Sequence, residues 1–459
     1  MLDQAAKTWA QDLVADAELG DVRRNALVIR MLRRMAQRPA GCITDVFVDR
    51  AEQQAAYDFI EGGVATSRLV DSFAASAFRA ADRSCFVVVD GTSLSLTDRK
   101  GRKDFGSIGP REFPTRGVKV IDALAVSRTG LPLGVAEMTF WAREPKSKLS
   151  RNTRRRAGDN ETRHWVQAIE RVASRARAAR VRPWFVIDRE GDASAILRTI
   201  ARQDADYTIR VGQLERRCVG DGSVFSRMCR RPVIGRHFVD VPAREGRRAR
   251  VAIMEVRVAR LDLKLPDYAT HSSLPFSTHV VWAREISPPR NTERLDWMLF
   301  TSAEQTTYAD AIAVLDGYCL RWRIEDFHRA WKSGHCNVEE TQLRKLDRVV
   351  RWATMLATVA VRAEQLKHQS REKPDAPASD LLSTNEIEAL VAIRNSRPRK
   401  NEGPVRGMPT SAQVVWWIAE LGGHPGNPAS GPPGTKRIAR GLERLLIYAE
   451  GYGAAKGAR

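Results

Sequence analysis

Two short runs of this chain are apolar at every position, and each leads into an aspartate. Cys85-Phe86-Val87-Val88-Val89 precedes Asp90, and Pro183-Trp184-Phe185-Val186-Ile187 precedes Asp188. Unbroken β-branched and aromatic runs of this length suit strands buried on both faces of a parallel sheet. In open α/β sheets, sites form outside the carboxyl ends of such strands. The two runs predict an α/β core that delivers two carboxylates to one sheet edge. A single aspartate there is a common turn former, whereas two together make a constellation.

The rest of the chain is organised around these runs. Residues 1–65 read as a helical unit: Ala5, Ala6, Trp9, Leu13 and Val14 recur at helical spacing, Asp21 can cap a helix over Val22–Gln37, and a further helix covers Arg50–Glu61. The capped helix carries Arg23, Arg24, Arg30, Arg33 and Arg34, which suits a DNA-reading element; a solvated amphipathic face is the alternative. Lys119–Val126 and Leu131–Thr139 read as strands around Arg128-Thr129-Gly130, and Glu161–Ala179 as a helix. Strand-like runs fill a β-rich insertion at about 205–290, followed by a strand at Trp297–Thr301 and a helical region over Tyr308–Ser333. Helices dominate from Leu343, with charged linkers at 369–380 and 395–410 and a final helix at Lys436–Gly451. The expected divisions are an N-terminal unit at 1–65, a core at 66–369 and a C-terminal helical region at 370–459.

Charge narrows the partner. The 459 residues contain 75 Lys+Arg against 55 Asp+Glu, a formal net charge of +20. Such an excess, dominated by arginine, favours a polyanion, and nucleic acid is the commonest one. No apolar stretch approaches the roughly 20 residues needed to cross a bilayer. The start of the chain lacks the basic-then-apolar pattern of a secretory leader. Six cysteines are scattered without a CxxC pair, so free thiols and a reducing compartment are expected. No P-loop occurs, so no ATP is expected.

A third carboxylate comes from YCLRWRIEDFHRAWK, Tyr318–Lys332. Read as one helix, Tyr318, Arg321, Glu325 and Lys332 share a single polar stripe, while Leu320, Ile324, Phe327 and Trp331 supply apolar contact. Plain surface pairing of Arg321 with Glu325 at i,i+4 is the alternative. Three carboxylates suit two divalent cations about 3.5–4 Å apart, which stabilise the attacking and leaving oxygens of an in-line phosphoryl displacement. Asp90 would bridge the two ions, with Asp188 and Glu325 each holding one side. Magnesium suits such oxygen ligands. Tyr318, Arg321 and Lys332 would then position phosphate.

The spacing Tyr318-x2-Arg321-x3-Glu325-x6-Lys332 resembles the Y-R-E-K signature of bacterial cut-and-paste DDE transposases of the IS-four family. Leu19-Gly20-Asp21-x-Arg23-Arg24, Asp90-x-Thr92-Ser93-Leu94-Ser95, Val186-x-Asp188-Arg189-Glu190 and Trp297-x-Leu299-x-Thr301-Ser302 extend the likeness over nearly the whole chain. It implies an RNase H-like (retroviral-integrase-like) catalytic core with a β-rich insertion, between N- and C-terminal helical domains, the latter helping to form a homodimer. The implied activity is nicking at transposon ends, hairpin formation and opening, and transfer of 3′-hydroxyl ends into target DNA. Two Mg²⁺ or Mn²⁺ ions per site would be held by Asp90, Asp188 and Glu325. Trp297 would stack on a flipped base, with a strand-embedded core Trp as the alternative. Arg210 would support the flipped strand, or make an ordinary sheet-surface ion pair. Double-stranded DNA, as inverted repeats and target, would be the partner, and the bacterial nucleoid in the cytoplasm the location. Gly212 departs from the pattern where a lysine is expected, and Leu27, Gln37 and Glu61 lack an expected positive charge.

Two other readings compete. A glycosidase would use paired carboxylates but leaves the net charge and the Tyr318, Arg321 and Lys332 stripe unexplained. A catalytically inactive transposase-derived regulator or inhibitor would be expected to lack the basic N-terminal unit or one of the three acids. The scattered histidines, His164, His328, His335 and His424, read as surface or packing residues.

Overall fold

The computed structural model describes residues 4–109, 115–143, 153, 161–241, 249–267, 270, 272–397, 403–427 and 430–457. Along the chain run α1 (Gln4–Val14), α2 (Val22–Gln37), α3 (Ile43–Val46), α4 (Arg50–Glu61), α5 (Thr66–Arg79), β1 (Ser84–Ser95), β2 (Gly106–Ser107), β3 (Arg116–Val126) and β4 (Pro132–Trp141). Next come α6 (Thr162–Ala178), β5 (Arg182–Ile187), α7 (Ser194–Ala201), β6 (Asp206–Arg210), α8 (Val224–Cys229), β7 (Gly235–Val241), β8 (Arg250–Asp267), β9 (Ser272–Glu285) and β10 (Asp296–Thr301). The chain ends with α9 (Tyr308–Cys319), α10 (Trp322–Lys332), α11 (Leu346–Glu372), α12 (Thr384–Ser396), α13 (Ser411–Leu421) and α14 (Thr435–Gly457). This mixed α/β chain divides into two compact units. One comprises Met1–Ala81, Gly91–Pro145 and Arg323–Arg459; the other comprises Asp82–Asp90 and Lys146–Trp322.

The second unit is built on a mixed sheet in the order β1-β5-β6-β10-β9-β8-β7. Strands β1, β5 and β6 are parallel, and the later neighbours pair antiparallel. The apolar runs are its centre: Val87, Val88, Phe185, Val186 and Ile187 are fully buried. Helix α6 places Trp165, Ile169, Val172 and Ala176 on its buried face, the spacing of one helical stripe. Tyr207–Val211, grouped by sequence with the later β-rich segment, pairs parallel with β5 and so extends the parallel part of the sheet. The long strands β8 and β9 alternate: Leu261, Leu263 and Leu265 are buried, while Arg260, Asp262 and Lys264 between them are exposed.

The first unit gathers the N-terminal helices, the β3–β4 hairpin and the C-terminal helices. Asp21 caps α2 as expected, accepting from the Arg23 N–H at 2.8 Å. The hairpin turns at Gly130, whose φ of +100° is open to glycine at little cost. The N-terminal helices are tied to the long α11: Trp352 Nε1 donates to the Gly41 carbonyl at 2.7 Å, and Arg351 donates to the carbonyls of Val64 (2.9 Å) and Ile60. Helix α11 runs through the expected linker start at 369 and stops at Glu372, because Pro374 restricts Lys373 and cannot continue the helix. Leu366, Leu390, Val414, Ile418, Ile438 and Leu445 join α11–α14 in a core of their own.

His335 lies in this unit as a packing residue with both ring nitrogens covered, and burial pushes its pKa down to about 4 from 6.5. It is therefore neutral in the folded chain at pH 7. A depressed histidine stabilises the fold above the unfolded pKa and loses that contribution as pH falls. Between pH 6.5 and 4 the wild type is expected to lose about 3 kcal/mol through this residue, and a His335→Phe variant to lose correspondingly less. Urea midpoints across that range measure the difference, and parallel curves for the two proteins contradict it.

Candidate active site

The two aspartates leave neighbouring parallel strands at the same level. The β1–β5 register ends on Val89↔Ile187, so Asp90 and Asp188 are the next residue on each. Adjacent strands stand about 5 Å apart, which sets the two backbones side by side. Strand β1 continues to Ser95, so Asp90 sits within it, whereas Asp188 ends β5 and caps the short 3₁₀ turn Arg189–Gly191 by accepting from the Glu190 N–H at 2.8 Å.

Basic and phenolic groups of the same unit surround this pair. Arg321 approaches Asp90 at 3.8 Å, with both side chains largely covered, and its guanidinium stacks on Trp322. Tyr318 is buried. Burial raises its pKa against the nearby charges of Arg321 and Arg210, and Asp188 adds to the rise. Arg210 hydrogen-bonds the Tyr318 side chain and donates to the Asp296 carbonyl at 3.0 Å. Trp297 is only 8% exposed, its ring edge-on to Tyr318 at 5.9 Å. The second unit thus brings together Asp90, Asp188, Arg210, Trp297, Tyr318 and Arg321.

The expected continuous helix over Tyr318–Lys332 is corrected. Helix α9 ends at Cys319 and α10 starts at Trp322. The Leu320 and Arg321 N–H groups bond back to Gly317 and Tyr318 carbonyls three residues earlier, the tightened turn that closes a helix. Tyr318 therefore belongs to the last turn of α9, Arg321 to the break, and only Glu325 and Lys332 to α10. Gly317 lets α9 approach closely, because a Cβ there would meet the Phe86 ring at 2.9 Å.

Glu325 and Lys332 lie in the first unit, on a helix pinned along its length. Arg323 donates to the Gly130 carbonyl at 2.9 Å, Asp326 pairs with Lys367 at 3.0 Å, and Trp331 Nε1 donates to the Ala353 carbonyl at 2.9 Å. His328 meets Asp122 on β3 at 2.8 Å. Burial raises the Asp122 pKa, opposed by His328 and Lys332. Lys332 donates to the Thr92 hydroxyl at 3.2 Å and stands 3.9 Å from Glu339.

Several residues of this region escaped sequence reading. Asp192, four residues after Asp188, is almost fully buried and pairs with buried Arg216. It also accepts from the Gly212 and Gln213 N–H groups at 2.9 and 2.8 Å. Gly212 has a steric reason, since a Cβ there would come within 2.9 Å of the Arg189 carbonyl, so no lysine fits without a shift. A lone Asp122 inside the apolar run Val120–Val126 was the one available signal for the His328 pair. Asp326, Glu364 and His368 also come close enough to hold an ion. Lys367 already bonds both acids there, however, so its ammonium fills the cation's role. Burial alone would raise the Glu364 pKa, but His368, Lys367 and Thr435 together hold it down at about 2.

Comparison with known families then bears on this geometry. Residues 6–62 match the transposase DNA-binding family, and residues 148–362 match the transposase DDE domain. Both matched families are families of transposase domains. Among solved structures, a cryo-EM piggyBac transposase synaptic complex with hairpin DNA is similar at 10% identity and a TM-score of 0.35. That match covers 80% of this chain and 66% of that one, just under two thirds of its length.

The transposase DNA-binding match contains Arg23, Arg24, Arg30 and Arg33 on α2; the first three are exposed and Arg33 is half-buried. Arg34 is committed to Glu52 at 3.0 Å. The DDE match contains Asp188, Arg210, Trp297, Tyr318, Arg321, Glu325 and Lys332, and begins after Asp90. No helix among the described residues is long and apolar enough to cross a membrane.

Proposed function

We propose that this chain is a cut-and-paste DNA transposase of the IS-four family, near the transposon-five transposase, with an RNase H-like core. The observation that carries the reading is the level pair Asp90 and Asp188, with Arg321 and Tyr318 beside it, in a chain that matches the DDE domain. The substrate is double-stranded DNA: inverted repeats bound by α2 and its neighbours, then target DNA, with a homodimer in the synaptic complex.

Asp90 and Asp188 offer hard carboxylate oxygens from adjacent strands, a donor set that suits Mg²⁺ or Mn²⁺. With Glu325 they would hold two ions, which supply Lewis acidity to the attacking and leaving oxygens when bound. Arg321, drawn toward Asp90 in the free protein, is the residue expected to turn to a phosphate oxygen. Its approach also lowers the repulsion between the two acids. The buried Tyr318 hydroxyl stays protonated at neutral pH, because burial raises its pKa, so it can donate to a phosphate oxygen. Lys332, weakly held by Thr92 and Glu339, provides a further positive charge on the helix that carries Glu325.

Incubation with DNA carrying the element's own inverted repeats, read from the sequence flanking the gene, tests the reading. Nicked, hairpin and released ends are expected with Mg²⁺ and none with EDTA. A folded protein that binds these ends but cleaves with neither Mg²⁺ nor Mn²⁺ contradicts it, and favours a transposase-derived regulator. For Trp297 the edge-on contact with Tyr318 gives a finer expectation. Trp297→Ala should slow hairpin formation about tenfold more than first-strand nicking if the ring receives a flipped base. Equal slowing of both steps leaves Trp297 as a core residue.

A further inference from the structure

Between β1 and β2 the chain reads Thr97-Asp98-Arg99-Lys100-Gly101-Arg102-Lys103-Asp104. Four cations in five residues repel one another and in isolation favour an extended, solvated segment. In this fold they form an ordered turn. The Asp98 carboxylate accepts from the N–H groups of Arg102 at 3.0 Å and Lys103 at 3.4 Å, and pairs with Arg116 of β3 at 2.7 Å. Arg116 in turn donates to the carbonyls of Lys103 (3.3 Å) and Phe105, and Gly101 reverses the chain at a φ of +60°. The loop is anchored a second time by the segment before α11: the Asp104 N–H donates to the Arg344 carbonyl at 3.3 Å, and Lys345 pairs with Asp104 at 3.3 Å.

The charges in this turn do not cancel. Asp98 is occupied by Arg116, and Asp104 by Lys345. Arg99, Lys100, Arg102 and Arg344 are left exposed on a fixed frame, with Lys103 held over the Phe105 ring at 5.6 Å. Cations that have no acidic partner among the described residues, on a backbone braced by a covered carboxylate, lower the entropy lost on gripping an extended polyanion. They stand far along the sequence from the α2 arginines, although both sets belong to the first unit.

We propose that this loop is a second DNA-backbone contact, in which Arg99, Lys100 and Arg102 bind the phosphodiester of duplex DNA. The proposal rests on the transposase reading for its choice of polyanion. Phosphates of the transposon end and of target DNA share this chemistry, and the test separates them.

The test uses the full chain carrying Arg99→Gln, Lys100→Gln and Arg102→Gln, with a charge-keeping Arg99→Lys/Arg102→Lys variant beside it. Binding is measured in EDTA against a random-sequence duplex and against a duplex carrying the element's inverted repeat, over a range of salt. Each phosphate contact contributes about 0.9 to the slope of log affinity against log salt. The triple variant is expected to lose about two to three from that slope and to bind about tenfold more weakly near 0.1 M salt, while the lysine variant stays near wild type. A loss larger on the inverted-repeat duplex assigns the contact to the transposon end, a loss confined to the random duplex assigns it to target DNA, and an equal loss on both assigns it to backbone that the two share. Unchanged slopes on both duplexes, with unfolding midpoints matching wild type, overturn the proposal. So does an equal loss in the lysine variant, which marks disturbed structure rather than lost charge. No cleavage is read, so a chain that binds through this loop yet never cuts DNA sinks the transposase reading and leaves this one standing.

Discussion

Asp188→Ala is expected to lower metal-dependent cleavage of inverted-repeat DNA by at least about a thousandfold, and Asp90→Ala and Glu325→Ala to do the same. The reasoning is electrostatic. On the proposed reading each acid would contribute negative charge that keeps divalent cations beside the reacting phosphate, with Asp90 and Asp188 each following the last paired residue of its strand. Groups that act as one unit are not additive, so Asp90→Ala/Asp188→Ala should be no slower than either single variant. End binding should persist, since the exposed arginines of α2 are untouched. Labelled inverted-repeat DNA resolved on a denaturing gel reports cleavage, and a mobility shift reports binding. Wild-type cleavage by any one variant removes that residue from the site.

Asp192→Ala is expected to be the most damaging stability change in the second unit, costing about 3–5 kcal/mol. The variant leaves the Arg216 guanidinium buried without its carboxylate, and strips the Gly212 and Gln213 N–H groups of their acceptor. Burial raises the Asp192 pKa, opposed by Arg216 and those two backbone donors, so desolvation consumes much of the pair's attraction. The pair therefore acts chiefly to hold the 212–216 segment against the turn that follows Asp188. It follows that Asp192→Ala/Arg216→Met should cost less than Asp192→Ala alone, because it removes the stranded charge as well. Urea unfolding of the three proteins measures this, and a single-variant loss below about 1 kcal/mol contradicts the role.

What could be read from sequence follows a physical division. The buried strands leading into Asp90 and Asp188 were legible because a strand buried on both faces must be apolar throughout, and the register then carries both acids to one level, although β1 runs on past Asp90 to Ser95. The cap at Asp21 and the hairpin turn at Gly130 were legible for local reasons of the same kind. The break at Leu320–Arg321 was not, because no glycine or proline marks it and the apolar period runs on through Ile324, Phe327 and Trp331. Its accompaniments are tertiary: Arg321 faces Asp90, and α9 lies close to Phe86. Gly212, where the pattern expects a lysine, has its reason in the Arg189 carbonyl beside it, which sequence alone does not reveal. Pairs such as His328 with Asp122 and Asp192 with Arg216 join residues 24 to 206 positions apart, and composition does not reveal them.

On the proposed reading, Asp90, Asp188 and Glu325 together hold the metal. Iron-directed hydroxyl-radical mapping of the full chain tests it without requiring turnover: Fe²⁺ replaces the native ion, and ascorbate with peroxide cuts the polypeptide wherever iron is bound. Cuts near residues 90, 188 and 325, suppressed by Mg²⁺ and lost in Asp188→Ala, are the predicted result. Cuts confined to the neighbourhood of Asp326, Glu364 and His368, or a pattern indifferent to Mg²⁺ and to Asp188→Ala, would contradict it.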